Sequence, residues 1–577
     1  MNLAWLSVML TPLILLFAYL MFGAVSGARA GEDAAVIKLL SPDGGETWAA
    51  GSRHYIRWES RQKDGSQTAV AEYTIDNGKH WMKVPAIAAG GGYLLWPLPN
   101  QSAHQCRVRV RDQRSGASAE SRAEFAIVPS QAIAGYYWEQ VTPQASFAAR
   151  DGAGALVFKE RMWLLGGWHP TDKRHFPRIT NNEVWSSADG TTWDLVKPNT
   201  FLDRNFDPAG DWEGRHTAGY AVYRNKMWIV GGDANQGHYQ FDVWNSADGK
   251  SWTRVNKGRD VPWGPRVLHY TVVFKGRIWV MGGQTMPAFA PAKEKFYRDI
   301  WNTTDGVNWQ KISPQGPYWP ARGMIGGSVV FDDRIWILGG GTYDTPTTPE
   351  RNYYNDVWSS PDGVRWQCHA EMAPWAPRQY HEVAVFDDRM WVLEGYNEAN
   401  RKDVWYSSDG ANWYPLPNTP WDARHAASVY VHDNALWVVA GNNLAPDVWK
   451  LQRRQSGADP VGAEDTPVVA GMLTNVALGL KGLGDKPAHV YDAKNPDRSP
   501  YRLNLYNGRT VLTPIFDTTF GLNFYGLRGE NVYAQLAMDA AGDIRFDKWV
   551  DGGDGLVIAV DNDVVPPTVI VQKRGEE

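Results

Sequence analysis

Arginine recurs at one position of a repeated segment, at Arg150, Arg215, Arg266, Arg322, Arg378 and Arg424. A guanidinium presents a planar fork of donors that matches a carboxylate, so six of them around one axis predict an anion site. Histidines stand at or near the same strand starts, at His216, His269, His381 and His425. An imidazole there either ties down a loop or moves a proton near neutral pH. Tyr343 lies in a long loop close by, and Glu394 stands where most copies carry glycine. That carboxylate is either an acid/base group or an internal counter-ion for Arg378 or Arg424. The expected ligand set is therefore the six arginines with His216, His381, His425 and Tyr343. Glu394 is the catalytic candidate of an enzymatic alternative.

The element that carries these groups is a repeat. One copy runs Arg215-His216-Thr217-Ala218-Gly219, then Met227-Trp228-Ile229-Val230-Gly231-Gly232, then Asp242-Val243-Trp244-Asn245-Ser246-Ala247-Asp248-Gly249, and ends on Trp252. Six copies follow one another. Their second strands hold Trp163, Trp228, Trp279, Trp336, Trp391 and Trp437, and their third strands Trp185, Trp244, Trp301, Trp358, Trp405 and Trp449. Such tryptophans serve first as packing between neighbouring sheets. The sixth copy lacks its last strand, but Tyr136-Tyr137-Trp138-Glu139-Gln140-Val141 upstream has that strand's pattern. Residues 136–142 are thus expected to complete the sixth unit and close a ring without a free edge.

The arginine-led first strand, the glycine doublet and the late tryptophan resemble the kelch repeat, in the style of galactose oxidase. The resemblance covers residues 136–452 and implies an all-β, six-bladed propeller. It also implies that arginines at this repeat position take part where kelch proteins bind acidic peptides. Galactose oxidase itself needs copper and a cysteine–tyrosine cofactor, and two scattered cysteines, Cys106 and Cys368, give that poor support. Ser246 to Trp252 looks like a sialidase Asp-box one residue short, which is a structural hairpin. No sialidase arginine triad or tyrosine nucleophile is identifiable.

A propeller has two unlike faces. Tight first-to-second turns and Asp-Gly hairpins share one face, and longer loops share the other. The longer loops run from Gly167 to Asn182, from Gly283 to Asp299 and from Gly341 to Asn355. Blades one, three and four should therefore rise around one side of the mouth.

The flanks read as separate units. Residues 35–128, opening with Ser41-Pro42-Asp43-Gly44-Gly45-Glu46-Thr47-Trp48, look like an immunoglobulin- or fibronectin-like sandwich. Residues 453–466 read as a polar linker, and 467–571 as a further β-rich domain of no recognised family. Asp551, Asp554, Asp561 and Asp563 there lack an ordered calcium-loop pattern. Residues 1–30 contain an apolar run from Leu6 to Phe22 and then Ala28-Arg29-Ala30. That is either a cleaved secretory signal or a membrane anchor, and both put the protein outside the cytoplasm: periplasmic, cell-surface or secreted.

The formal charge of −5 offers no basic excess for a phosphate backbone, so nucleic acid is not an expected partner. No cysteine/histidine cluster suggests a metal, and no cofactor is expected. A membrane enters only through the possible N-terminal anchor. The sequence therefore predicts an exported binding or scaffold protein that recognises an acidic glycan or protein through the long-loop face. The alternative is a carbohydrate-active enzyme similar to sialic-acid mutarotases.

Overall fold

A computed structural model of the chain describes residues 37–453, except 61–68, 87, 114–115, 134–135, 170–178, 236, 324–326 and 417–418. It also describes the backbone of nine strands between residues 476 and 573. The apolar segment 1–30 and the linker residues 454–466 lie outside the described residues. Every regular element described is a β-strand.

Six four-stranded antiparallel sheets lie between Tyr136 and Arg453. The first comprises Gly154–Phe158, Arg161–Leu165, Val184–Ser187 and Asp194–Lys197. The others follow the same plan. Their first strands are Gly219–Tyr223, Tyr270–Phe274, Ser328–Phe331, Glu382–Phe386 and Ser428–His432. Each first strand touches the first strand of the next sheet, and the last touches Gly154–Phe158 again. The arrangement is a closed, propeller-like cycle. In the sixth sheet the outer strand is Tyr136–Thr142, which pairs antiparallel with Val448–Arg453 and sets Trp138 opposite Leu451.

Local sequence explains the turns. First and second strands are joined by two residues of positive φ, such as Lys159 and Glu160, Lys275 and Gly276, or Asp433 and Asn434. That backbone twist matches the twist of paired strands. Third and fourth strands are joined by a repeated hairpin. Ser246 Oγ accepts the Gly249 N–H at 2.8 Å, Asp248 Oδ1 accepts the next two N–H groups, and Trp252 Nε1 donates to the Gly249 carbonyl.

That hairpin glycine has a packing role. A Cβ on Gly249 would lie 2.2 Å from the Trp163 indole of the preceding sheet. Gly306 faces Trp228 in the same way, Gly363 faces Trp279, Gly410 faces Trp336 and Gly190 faces Trp437. The second-strand tryptophans are therefore the contacts between sheets. Trp391 has no hairpin glycine to meet, and Tyr136 packs edge-on against it instead.

Residues 37–128 form two sheets across one apolar core that includes Trp48, Trp58, Trp96 and Phe125. This unit docks on the outer strand of the fifth sheet. The Ala49 N–H donates to Asn412 Oδ1 at 2.8 Å, and Arg53 lies over the Trp405 ring. Cys106 and Cys368 are free thiols. The nine C-terminal strands form a four-stranded and a five-stranded sheet.

Candidate functional site

The six repeat arginines are buried, with 0–1 % of their surface exposed. Each is neutralised within its own sheet by a carboxylate from the start of the third strand. Arg215 grips Asp242 through Nη1 at 2.7 Å and Nη2 at 3.1 Å. Arg266 pairs with Asp299, Arg322 with Asp356, Arg378 with Asp403 and Arg424 with Asp447 in the same two-pronged way. Arg150 holds Glu183 through one nitrogen at 2.7 Å. Each Nη1 also donates to the carbonyl at the first doublet position, as from Arg215 to Gly231. The third-strand indole completes the unit: Trp244 Nε1 donates to Asp242 Oδ2 at 2.7 Å.

This corrects the expected anion site. An unpaired buried charge is costly, so each repeat supplies its own counter-ion and hydrogen bonds. The counter-ion stands two residues before the third-strand tryptophan, as Asp242 before Trp244. That spacing was the available signal.

Two further expectations change. His381 is fully buried, with Nε2 against the Leu338 carbonyl at 2.7 Å, and it is not among the residues that line the pocket described below. Glu394 is also fully buried, and its Oε1 accepts the Ala427 N–H at 3.1 Å. Burial pushes its carboxyl up to about 8, with Arg424 and Arg378 pulling against that rise. It is not among the residues that line the pocket, and its Oε2 has no partner among the described residues.

The pocket itself holds about 400 Å³ and opens on the long-loop face. Its floor is made by the residues that directly follow the repeat arginines. Asp151, His216 and His425 come first after Arg150, Arg215 and Arg424, and Thr217, Tyr380 and Ala426 come second after theirs. The second position is left-handed in each described copy: Gly152, Thr217, Leu268, Tyr380 and Ala426 have φ of 50–61°. Backbone bonds link several of these positions around the axis, from Ala426 N to Tyr380 O, Gly152 N to Ala426 O and Thr217 N to Gly152 O. The walls come from the longer loops: Trp168 and Ile179, Phe289, and Tyr343 with Arg351.

The structure therefore places His216, His425 and Tyr343 around one cavity and leaves the six arginines and His381 outside it. Sequence reasoning missed Asp151, Tyr380, Tyr396 and Asn442, and it reached Arg351 only as part of the loop from Gly341 to Asn355.

The polar groups are individually positioned. Arg351 Nε donates to Asp344 at 2.6 Å, while the guanidinium lies 4.1 Å over Tyr343 and 5.5 Å from Tyr396. Among the described residues its two terminal nitrogens have no partner. Asp151 accepts from Asn442 Nδ2 at 2.6 Å, and burial raises its carboxyl to about 6 against the pull of His216. His216 Nδ1 lies 2.8 Å from Asp233 Oδ2. Burial alone would lower His216, but the Asp233 charge outweighs it and the imidazole is raised. His425 moves the other way, down to about 4, through burial and the charge of Arg351. One cavity thus joins an aromatic wall, one open guanidinium and groups able to exchange protons. Among the described residues no cluster of ligating side chains suits a metal ion.

No family model matches the chain. The chain is 25% identical over 159 residues to the leucine-zipper-like transcriptional regulator 1 homolog of Drosophila melanogaster, covering 27% of this chain and 15% of that protein. Among solved structures, YjhT aligns with a TM-score of 0.40 and 13% identity over 53% of this chain and 95% of its own. Zg3597, a family 117 glycoside hydrolase of Zobellia galactanivorans, aligns with a TM-score of 0.29 and 13% identity over 56% and 91%. At these values the likenesses assign neither a family nor a function.

Proposed function

We propose that residues 136–452 are a six-bladed kelch-type propeller that binds an acidic glycan or an acidic protein end through the pocket on its long-loop face. Residues 35–128 serve as an immunoglobulin- or fibronectin-like spacer on an exported protein. The closed cycle of sheets and the repeated arginine-led strand support the propeller assignment. The apolar run followed by Ala28-Arg29-Ala30 supports export, and a mature N-terminus at Gly31 would establish cleavage.

One observation carries the binding proposal. Among the described residues lining the pocket Arg351 is the one arginine or lysine, it is held in place by Asp344 and two tyrosine rings, and its terminal nitrogens have no partner. A guanidinium fixed in this way meets a carboxylate at little further ordering cost. Aromatic faces beside it suit the apolar face of a sugar ring. A screen of the full chain against acidic and neutral glycans tests this. Acid-selective binding that disappears in Arg351→Ala is the expected result. Binding without regard to charge rejects it.

Carbohydrate chemistry is the second reading, favoured by the Asp233–His216 pair beside Asp151. A mutarotase-like reaction centred on Glu394 lacks access, because that carboxylate is enclosed. Any chemistry must run on the residues of the pocket.

A further inference from the structure

We infer that this pocket cleaves a uronic-acid glycan by β-elimination, which rests on the acidic-glycan reading above. Four features of the site lead there.

First, His216 is oriented as a base. Asp233, itself buried, sits on Nδ1 and so favours the tautomer that carries its proton there. Nε2 then carries the lone pair, His216 lines the pocket, and among the described residues Nε2 has no hydrogen-bond partner. The Trp168 ring lies nearly parallel to the imidazole, with centroids 6.4 Å apart.

Second, Arg351 can neutralise the uronate carboxylate. That neutralisation is what makes the neighbouring C5 proton acidic enough to remove.

Third, Tyr380 offers a proton. Its hydroxyl has no partner among the described residues, and burial keeps it protonated well above its usual range. Its backbone φ of 54° is the left-handed conformation that Thr217, Leu268 and Ala426 share at the same repeat position, so the repeat fixes where this side chain starts.

Fourth, hydrolysis is poorly provided for. Glycosidases commonly flank the scissile bond with two carboxyl groups. Among the described residues lining this pocket only Asp151 carries one.

The step balances without water or a redox partner. His216 Nε2 takes the C5 proton, and the C5–H electron pair becomes the C4–C5 double bond. The C4–O4 bond breaks, its electron pair stays on O4, and O4 takes the Tyr380 proton. The resulting tyrosinate regains a proton from the imidazolium through solvent.

The test mixes the full chain with polygalacturonate, alginate and a glucuronate-containing glycosaminoglycan. Ultraviolet absorbance of the 4,5-unsaturated product is followed, and binding is measured by calorimetry. We expect absorbance to rise with at least one polymer. His216→Gln and Tyr380→Phe should each slow it about 100-fold or more while binding changes only a few-fold. Asp233→Asn should shift the pH profile of the remaining rate. Arg351-dependent binding without absorbance, or new reducing ends without the chromophore, would overturn elimination and leave the binding proposal standing. No binding to any of the three would overturn both.

Discussion

Tyr136 and Trp391 meet edge to face, with ring centroids 5.0 Å apart and planes at 89°. Tyr136 opens the strand that completes the sixth sheet, and Trp391 is the second-strand tryptophan of the fifth. The tyrosine occupies the place that a hairpin glycine and its turn take between other sheets. Its hydroxyl also donates to Asp387. Closure of the cycle is thus a packing event as well as a backbone pairing.

Tyr136→Ala should destabilise the chain by about 3 kcal/mol, the usual loss for a buried aromatic side chain. Equilibrium denaturation of the variant against the parent measures it. A loss no larger than that of an exposed-residue change would show that closure does not depend on this contact.

Removing one member of a repeat ion pair should be more damaging than removing both. Asp447→Ala leaves the Arg424 guanidinium buried without its counter-ion and should cost roughly 3–5 kcal/mol. Changing both residues to apolar ones should recover part of that loss. Thermal melts of the single and double variants check the order.

Glu394 sets a pH dependence of its own. Its value rises from 4.5 to about 8 on folding, so the folded state prefers the protonated form. The stability it contributes is full below about pH 4.5 and is lost as the pH climbs to about 8. Glu394→Gln should flatten stability against pH across that window. A variant whose pH profile matches the parent would remove Glu394 as the cause.

Asp151 should control how the pocket receives an anion. Burial, with the nearby Asp233 charge, raises its carboxyl to about 6 against the pull of His216 and Asn442. Below that value the carboxyl is neutral and His216, backed by Asp233, is charged, so an acidic ligand should bind more tightly as the pH falls from 8 towards 5. Asp151→Asn should tighten binding at pH 8 and weaken the pH dependence. Calorimetry at several pH values measures both.

The fold was legible because the repeat prints its strands again and again. Trp228, Trp279 and Trp336 mark one strand, and Asp248-Gly249 with Trp252 marks one hairpin. The site was legible only in part. Arg215 and Asp242 are 27 residues apart, and nothing local says that they pair. The arginines looked functional because they recur, yet a feature present in every copy mostly serves what every copy needs. The pocket floor instead takes the next position, where Asp151, His216, Val267, Gly323, Gln379 and His425 differ from sheet to sheet. Departure from the repeat is not sufficient either. Glu394 departs from glycine and proves to be a buried cap on the Ala427 N–H.

Arg351 is the proposed anion contact of the pocket. Calorimetry of the full chain with an oligouronate and with its carboxyl-reduced, neutral counterpart tests it most directly. The neutral ligand should bind about 10- to 100-fold more weakly, the scale of a lost charge-assisted hydrogen-bond pair, and Arg351→Ala should abolish the difference. Equal affinity for the two ligands, or charge discrimination that survives in Arg351→Ala, would contradict it.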